Sequence, residues 1–184
     1  MKLKITIIIL IIYSFDLMAQ VLETNENSIK PSIPKGYRSI KLNMNKEQVI
    51  SQLKKESIFD TSDQEKLTFR NEPDKEILKT NGVNFIKMAY FHFHNNVLYQ
   101  ITLDIDQNKL SYNDILMTLQ NKYGKPINFS PGTADWENDA VKLSLQRPVM
   151  IKYYSIKIIK EILDETKEPL NFYKISREKF LNSL

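Results

Sequence analysis

The fold of this chain is decided by residues 85–124, which read FIKMAYFHFHNNVLYQITLDIDQNKLSYNDILMTLQNKYG. Residues 97–106 alternate apolar and polar side chains, and this pattern predicts a strand with one buried face. A second strand is predicted over the aromatic-rich residues 85–94. Asn95-Asn96 lies between them and suits a two-residue turn, because Asn tolerates positive φ. The stretch therefore predicts a β-hairpin.

The predicted register of this hairpin pairs Tyr90 with Ile101 and directs the Ile101 side of the second strand to the core. The opposite face then carries an apolar cluster beside the turn. This cluster consists of Phe91, Phe93 and Leu98. Exposed apolar patches often mark interaction sites, so these residues are the candidate partner-binding surface. The alternative is that the chain's own C-terminal residues cover them.

A helix is predicted directly after the hairpin. Ser111 serves as its N-cap with Asp114 at the third helical position, apolar residues follow at helical spacing, and Gly124 ends it before Pro126. A similar helix is predicted earlier, with Asn45 as N-cap and Gln48 at the third position. Strands follow both helices, which indicates an internal duplication.

The predicted fold class is therefore α+β, a single domain over residues 36–184. It comprises two helix-plus-antiparallel-sheet repeats, at about 36–106 and 107–155, followed by C-terminal helices over 156–184. Trp136 is predicted to anchor the core opposite Val141 in a two-residue hairpin, although stacking on a ligand is the alternative.

The N-terminus carries the pattern of an export signal over residues 1–19: Lys2 and Lys4 precede an apolar run from Ile5 to Tyr13. That run is shorter than the roughly 20 residues needed to cross a bilayer, so we expect a cleaved signal and no transmembrane span. Residues 20–35 are polar and predict a flexible linker. The sequence contains no cysteine, so we expect neither a disulfide nor a lipid-modified cysteine. The expected location is the periplasm or outer cell envelope.

The formal net charge is +4, from 26 basic and 22 acidic residues. Lysines are interleaved with acids and no arginine-rich stripe occurs, so nucleic acid is not an expected partner. Serine nucleophile elbows and phosphate-binding glycine loops are also missing from the sequence. These observations predict a protein that is not an enzyme and has no cofactor.

His92 and His94 are two residues apart on one predicted strand, so their imidazoles face the same side. This spacing occurs in some metal sites, but no third ligand is evident and packing near the turn is the favoured interpretation. The series Asp135, Glu137 and Asp139 resembles the start of a calcium loop. It lacks the glycine and the closing glutamate of such a loop, so it indicates an acidic hairpin edge.

Three segments carry a resemblance to a known family: LNMNKEQV at 42–49, FHFHNNVLY at 91–99 and KYGKP at 122–126. Together with the export signal they resemble the SmpA/OmlA (BamE-like) small envelope domains, and the tandem arrangement resembles the β-lactamase-inhibitor-like fold. The resemblance implies a non-enzymatic module that binds an envelope protein partner or supports assembly. The alternative function is a small-ligand-binding or metal-binding periplasmic protein.

Overall fold

The computed structural model describes residues 32–61, 68–72, 75–165 and 180–181, with backbone only for 68–72 and 75. The predicted signal peptide and most of the predicted linker lie outside the described residues. The same holds for the C-terminal helices beyond residue 165, apart from Phe180 and Leu181. Ile33, in the segment predicted as a linker, is buried in the core.

Far more of the described residues lie in strands than in helices. The strands are β1 (Gly36–Tyr37), β2 (Ile40–Lys41), β3 (Phe59–Asp60), β4 (Thr68–Glu72), β5 (Lys75–Gly82), β6 (Ile86–His94), β7 (Val97–Ile105), β8 (Asn128–Ser130), β9 (Thr133–Glu137), β10 (Val141–Gln146) and β11 (Met150–Ser155). The helices are α1 (Lys46–Leu53), α2 (Tyr112–Tyr123) and α3 (156–165).

One antiparallel sheet joins nine of these strands in the order β3-β5-β6-β7-β11-β10-β9-β8, with β4 also paired to β5. The predicted fold class, α+β with two helix-plus-antiparallel-sheet repeats at 36–106 and 107–155, is therefore wrong. The protein is mainly β, and the strands assigned to the two repeats belong to one continuous sheet, apart from the β1–β2 hairpin. Strand β7 pairs with β11, and Ile101 lies opposite Tyr153. This pairing joins the strands that the sequence assigned to two separate sheets.

The β6–β7 hairpin turns at Asn95 and Asn96, whose φ angles are 49° and 64°, as the sequence predicted. Its register differs from the prediction in the middle, because Phe91 and not Tyr90 lies opposite Ile101. Irregularities between Ile86 and Met88 and between His92 and Phe93 shift the pairing. Each leaves one strand with an extra residue, as in a β-bulge.

Both predicted helix starts are confirmed. Asn45 and Gln48 form a capping box at α1, and Ser111 and Asp114 form one at α2. In each box the cap side chain accepts from the backbone N–H three residues on, and the side chain at that position accepts from the cap N–H. Gly124 ends α2 with a φ of 81°. These contacts pair N–H groups that a helix otherwise leaves free at its start.

The core lies between one face of the sheet and helices α1 and α2. Val49 and Leu53 of α1 and Ile115 and Leu119 of α2 are buried in the same cluster as the inward residues of the strands. A row of side chains crosses the sheet on this side: Phe91, Ile101, Tyr153, Leu143 and Trp136. Trp136 is a core residue, but it lies opposite Leu143 and not Val141.

Strands β1 and β2 form a tight hairpin that is separate from the main sheet. Gly36 is required there, because a Cβ atom on it would lie 2.2 Å from the carbonyl oxygen of Ile40.

Candidate functional site: the polar face of the sheet

The predicted partner-binding residues Phe91, Phe93 and Leu98 lie together, but on the core side of the sheet. All three are almost completely buried. The prediction placed them on the other face of the sheet from Ile101. In the structure the shifted register pairs Phe91 with Ile101, so both side chains lie on the same face. These residues therefore do not form an exposed patch, and any interaction surface of this domain lies elsewhere.

His92 and His94 project from the other side of β6. The His92 ring contacts Tyr99 edge to face, with 6.1 Å between ring centroids. His94 Nε2 lies 3.2 Å from Glu165 Oε2, which connects the turn of the hairpin to the end of α3. Among the described residues, no group of three or more His, Cys, Asp or Glu side chains could hold a metal ion.

The side of the sheet opposite α1 and α2 is lined by polar side chains, and we call it the polar face. Its central row follows from the register of five neighbouring strands. This row consists of Tyr90, Thr102, Lys152, Ser144 and Asp135. The flanking rows contain Gln100, Tyr154 and Lys142 on one side and Asp104 and Gln146 on the other.

The β9 and β10 part of the polar face is an internal hydrogen-bond network. Ser144 Oγ donates to Asp135 Oδ1 at 2.6 Å, and Lys142 Nζ lies 2.9 Å from Asp135 Oδ2. Gln146 Nε2 donates to Ser144 Oγ at 3.2 Å. Ser144 is fully buried, so its hydroxyl holds Asp135 in place and does not reach a substrate. The acidic edge predicted at Asp135 is therefore an internal ion pair.

The β6, β7 and β11 part of the polar face carries aromatic and cationic groups. Lys79 Nζ lies 5.8 Å from the centroid of the Tyr90 ring, a cation–π contact. Gln100 Nε2 donates to Thr102 Oγ1 at 2.9 Å. Burial raises the pKa of Tyr154 to about 12, with smaller contributions from Asp135 and Tyr99. Burial also lowers the pKa of Lys152.

These residues could not be identified from the sequence, because they come from five strands that the sequence does not show to be neighbours. One signal was available within the residues that form β11. Alternation there places Lys152 on the side away from Tyr153, in the middle of a strand where a lysine is unusual.

Two open clefts lie near opposite edges of the sheet. One is lined by residues that include Lys54, Phe59 and Val83, and the other by residues that include Asp139 and Lys160. Both are open to solvent, and the first mixes apolar and polar side chains while the second is mainly polar. They differ in this from the enclosed apolar pockets that usually hold small ligands. The predicted alternative of small-ligand binding therefore gains no specific support from either cleft.

Residues 35–165 match the TP0088 domain family. The chain belongs to this family. The match covers α1, α2, α3 and every strand of the main sheet, so the TP0088 domain includes the whole polar face. No curated protein and no solved structure shows significant similarity to the chain. The resemblance to SmpA/OmlA domains stays a prediction, since the TP0088 domain match does not bear on it.

No helix in the described parts of the chain is both long and apolar enough to cross a bilayer. The sequence contains no cysteine, so no cysteine of this chain can carry a lipid.

Proposed function

We propose that this protein is an exported interaction or assembly-support module of the cell envelope, and that its polar face binds a protein partner. The proposal rests on one observation: the two faces of the sheet are covered to different extents by helices. Helices α1 and α2 bury one face, whereas among the described elements only α3 approaches the other. Both ends of α3 contact connections between strands: the Ile156 N–H donates to the Ala140 carbonyl oxygen, and Glu165 meets His94 beside the β6–β7 turn.

The chemistry of the polar face suits recognition of a protein. It presents tyrosines, hydroxyls, amides and ammonium groups, which hydrogen-bond and also offer apolar surface. Tyr90, Lys152 and Tyr154 are all only half-buried, so part of each side chain remains available for contact. Five strands at about 4.8 Å spacing span roughly 20 Å, enough to seat a partner helix about 10 Å wide.

The polar face is also rigid. Its strands are central in the sheet, and the Asp135, Ser144 and Lys142 contacts fix its far end. A preorganised surface loses little conformational entropy on binding, so more of its contact energy appears as affinity.

Site-specific photocrosslinking in the native cell tests the proposal. A benzoylphenylalanine placed at Tyr90 should produce a crosslinked species containing a second protein, whereas the same group at Asn121, an exposed position on α2, should not. Capture that is equal from both positions would contradict the polar face as the interface. A crosslink within the chain would mean that its own terminal residues cover the face, and a product between two copies would indicate self-association instead.

A further inference from the structure

Lys152 occupies the centre of the polar face without a compensating acid. It lies directly opposite Thr102 on β7 and Ser144 on β10. No carboxylate among the described residues lies within 4 Å of its ammonium group, although ion pairs of that length occur elsewhere in the domain. Asp104 is one row away, opposite Met150.

The other two lysines near this row have local partners. Lys142 pairs with Asp135, and Lys79 lies against the Tyr90 ring. The positive charge of Lys152 is therefore the one in the centre of this face that the described residues leave uncompensated.

A half-buried ammonium group without an acid costs stability, because burial removes water that would solvate the charge. The lowered pKa of Lys152 has this cause. A methionine of similar length would remove the cost. Residues that reduce stability in this way are commonly kept for function.

Thr102, directly opposite Lys152, is only 5% exposed, and its Oγ1 accepts from Gln100 Nε2. Its hydroxyl is therefore used inside the domain. The exposed part of the Lys152 side chain is what a partner can reach at this pair of residues.

We infer that Lys152 binds a carboxylate from an aspartate or glutamate side chain of the protein partner. This inference rests on the proposed function of the polar face. A single carboxylate fits better than a phosphate group, because phosphate sites usually carry arginine or several donors. The nearby Asp104 and Asp135 carboxylates would also repel a dianion more strongly than a monoanion.

The yield of partner crosslinked through benzoylphenylalanine at position 90 measures the effect of substitutions at Lys152. Lys152→Met should reduce the yield of the crosslinked partner roughly tenfold or more, as expected from loss of a charge-assisted hydrogen bond. Its thermal midpoint should equal or exceed that of the unsubstituted protein. Lys122→Met, a matched change on the exposed side of α2, should alter neither quantity. Lys152→Arg should retain capture.

A carbodiimide, which couples an amine to a carboxylate in direct contact, should join Lys152 to an acidic residue of the captured partner. Reversing the charge of that residue to lysine should abolish capture, and Lys152→Glu should restore it. If the partner is captured but Lys152→Met has no effect and no adduct forms, the inference is wrong while the proposed function stands. If benzoylphenylalanine at position 90 captures no partner, the inference and the proposed function both fail. A lowered thermal midpoint for Lys152→Met would show a structural role and overturn the inference.

Discussion

At the scale of single residues, Ile101 and Thr102 show what alternation along a strand determines. The sequence predicted Ile101 in the core, and this is confirmed, since its side chain is fully buried. Thr102 points to the opposite face as predicted, yet it is only 5% exposed. The reason is that long neighbours such as Lys152 and Gln100 cover it. Burial of a polar residue therefore need not indicate the core.

We expect Ile101→Asp to lower the free energy of unfolding by about 3 kcal/mol or more, because it buries an unpaired carboxylate among apolar groups. Thr102→Asp should lower it by less than half as much, since its carboxylate lies opposite Lys152. Urea denaturation of both variants gives the comparison. Equal losses would show that the faces of β7 are assigned wrongly.

At the scale of elements, the local features of the sequence were predicted well. The Asn95-Asn96 turn and both capping boxes depend on residues within four positions of each other, so they can be read from the chain alone. The shifted register of the hairpin could not be read in the same way. Leu98 and Tyr99 are both apolar and both buried. The pattern of apolar residues therefore does not show that β7 has an extra residue at this point.

The capping box of α2 offers a test at this scale. Ser111→Ala should reduce the free energy of unfolding by about 1 kcal/mol, because the Asp114 N–H loses its acceptor. Ser51→Ala, at an exposed position inside α1, is the matched control and should leave stability unchanged or slightly raised. Chemical denaturation measures both. A loss at Ser51 as large as that at Ser111 would argue against the cap.

At the scale of the whole molecule, the sequence was least informative. The similar starts of α1 and α2 predicted two repeats, but caps are local chemistry and say nothing about which strands pair. The contact that unites the sheet joins Thr102 to Lys152, residues far apart in the chain. The same pairing places Thr102 and Lys152 side by side at the centre of the polar face. The candidate site could therefore not be predicted from the sequence unless the pairing of β7 with β11 was predicted as well.

The proposal of an envelope protein also belongs to this scale, and it depends on residues 1–19. We expect the native protein to be exported and to begin at or near Gln20, because Lys2 and Lys4 precede a short apolar run of the kind that signal peptidases process. N-terminal sequencing of protein from fractionated cells measures the start. Ile9→Asp interrupts the apolar run and should leave unprocessed protein inside the cell, whereas Thr24→Asp, beyond the expected cleavage point, should be exported normally. Native protein that retains Met1 and fractionates with the cytoplasm would contradict export, and the partner of the polar face would then have to be sought inside the cell.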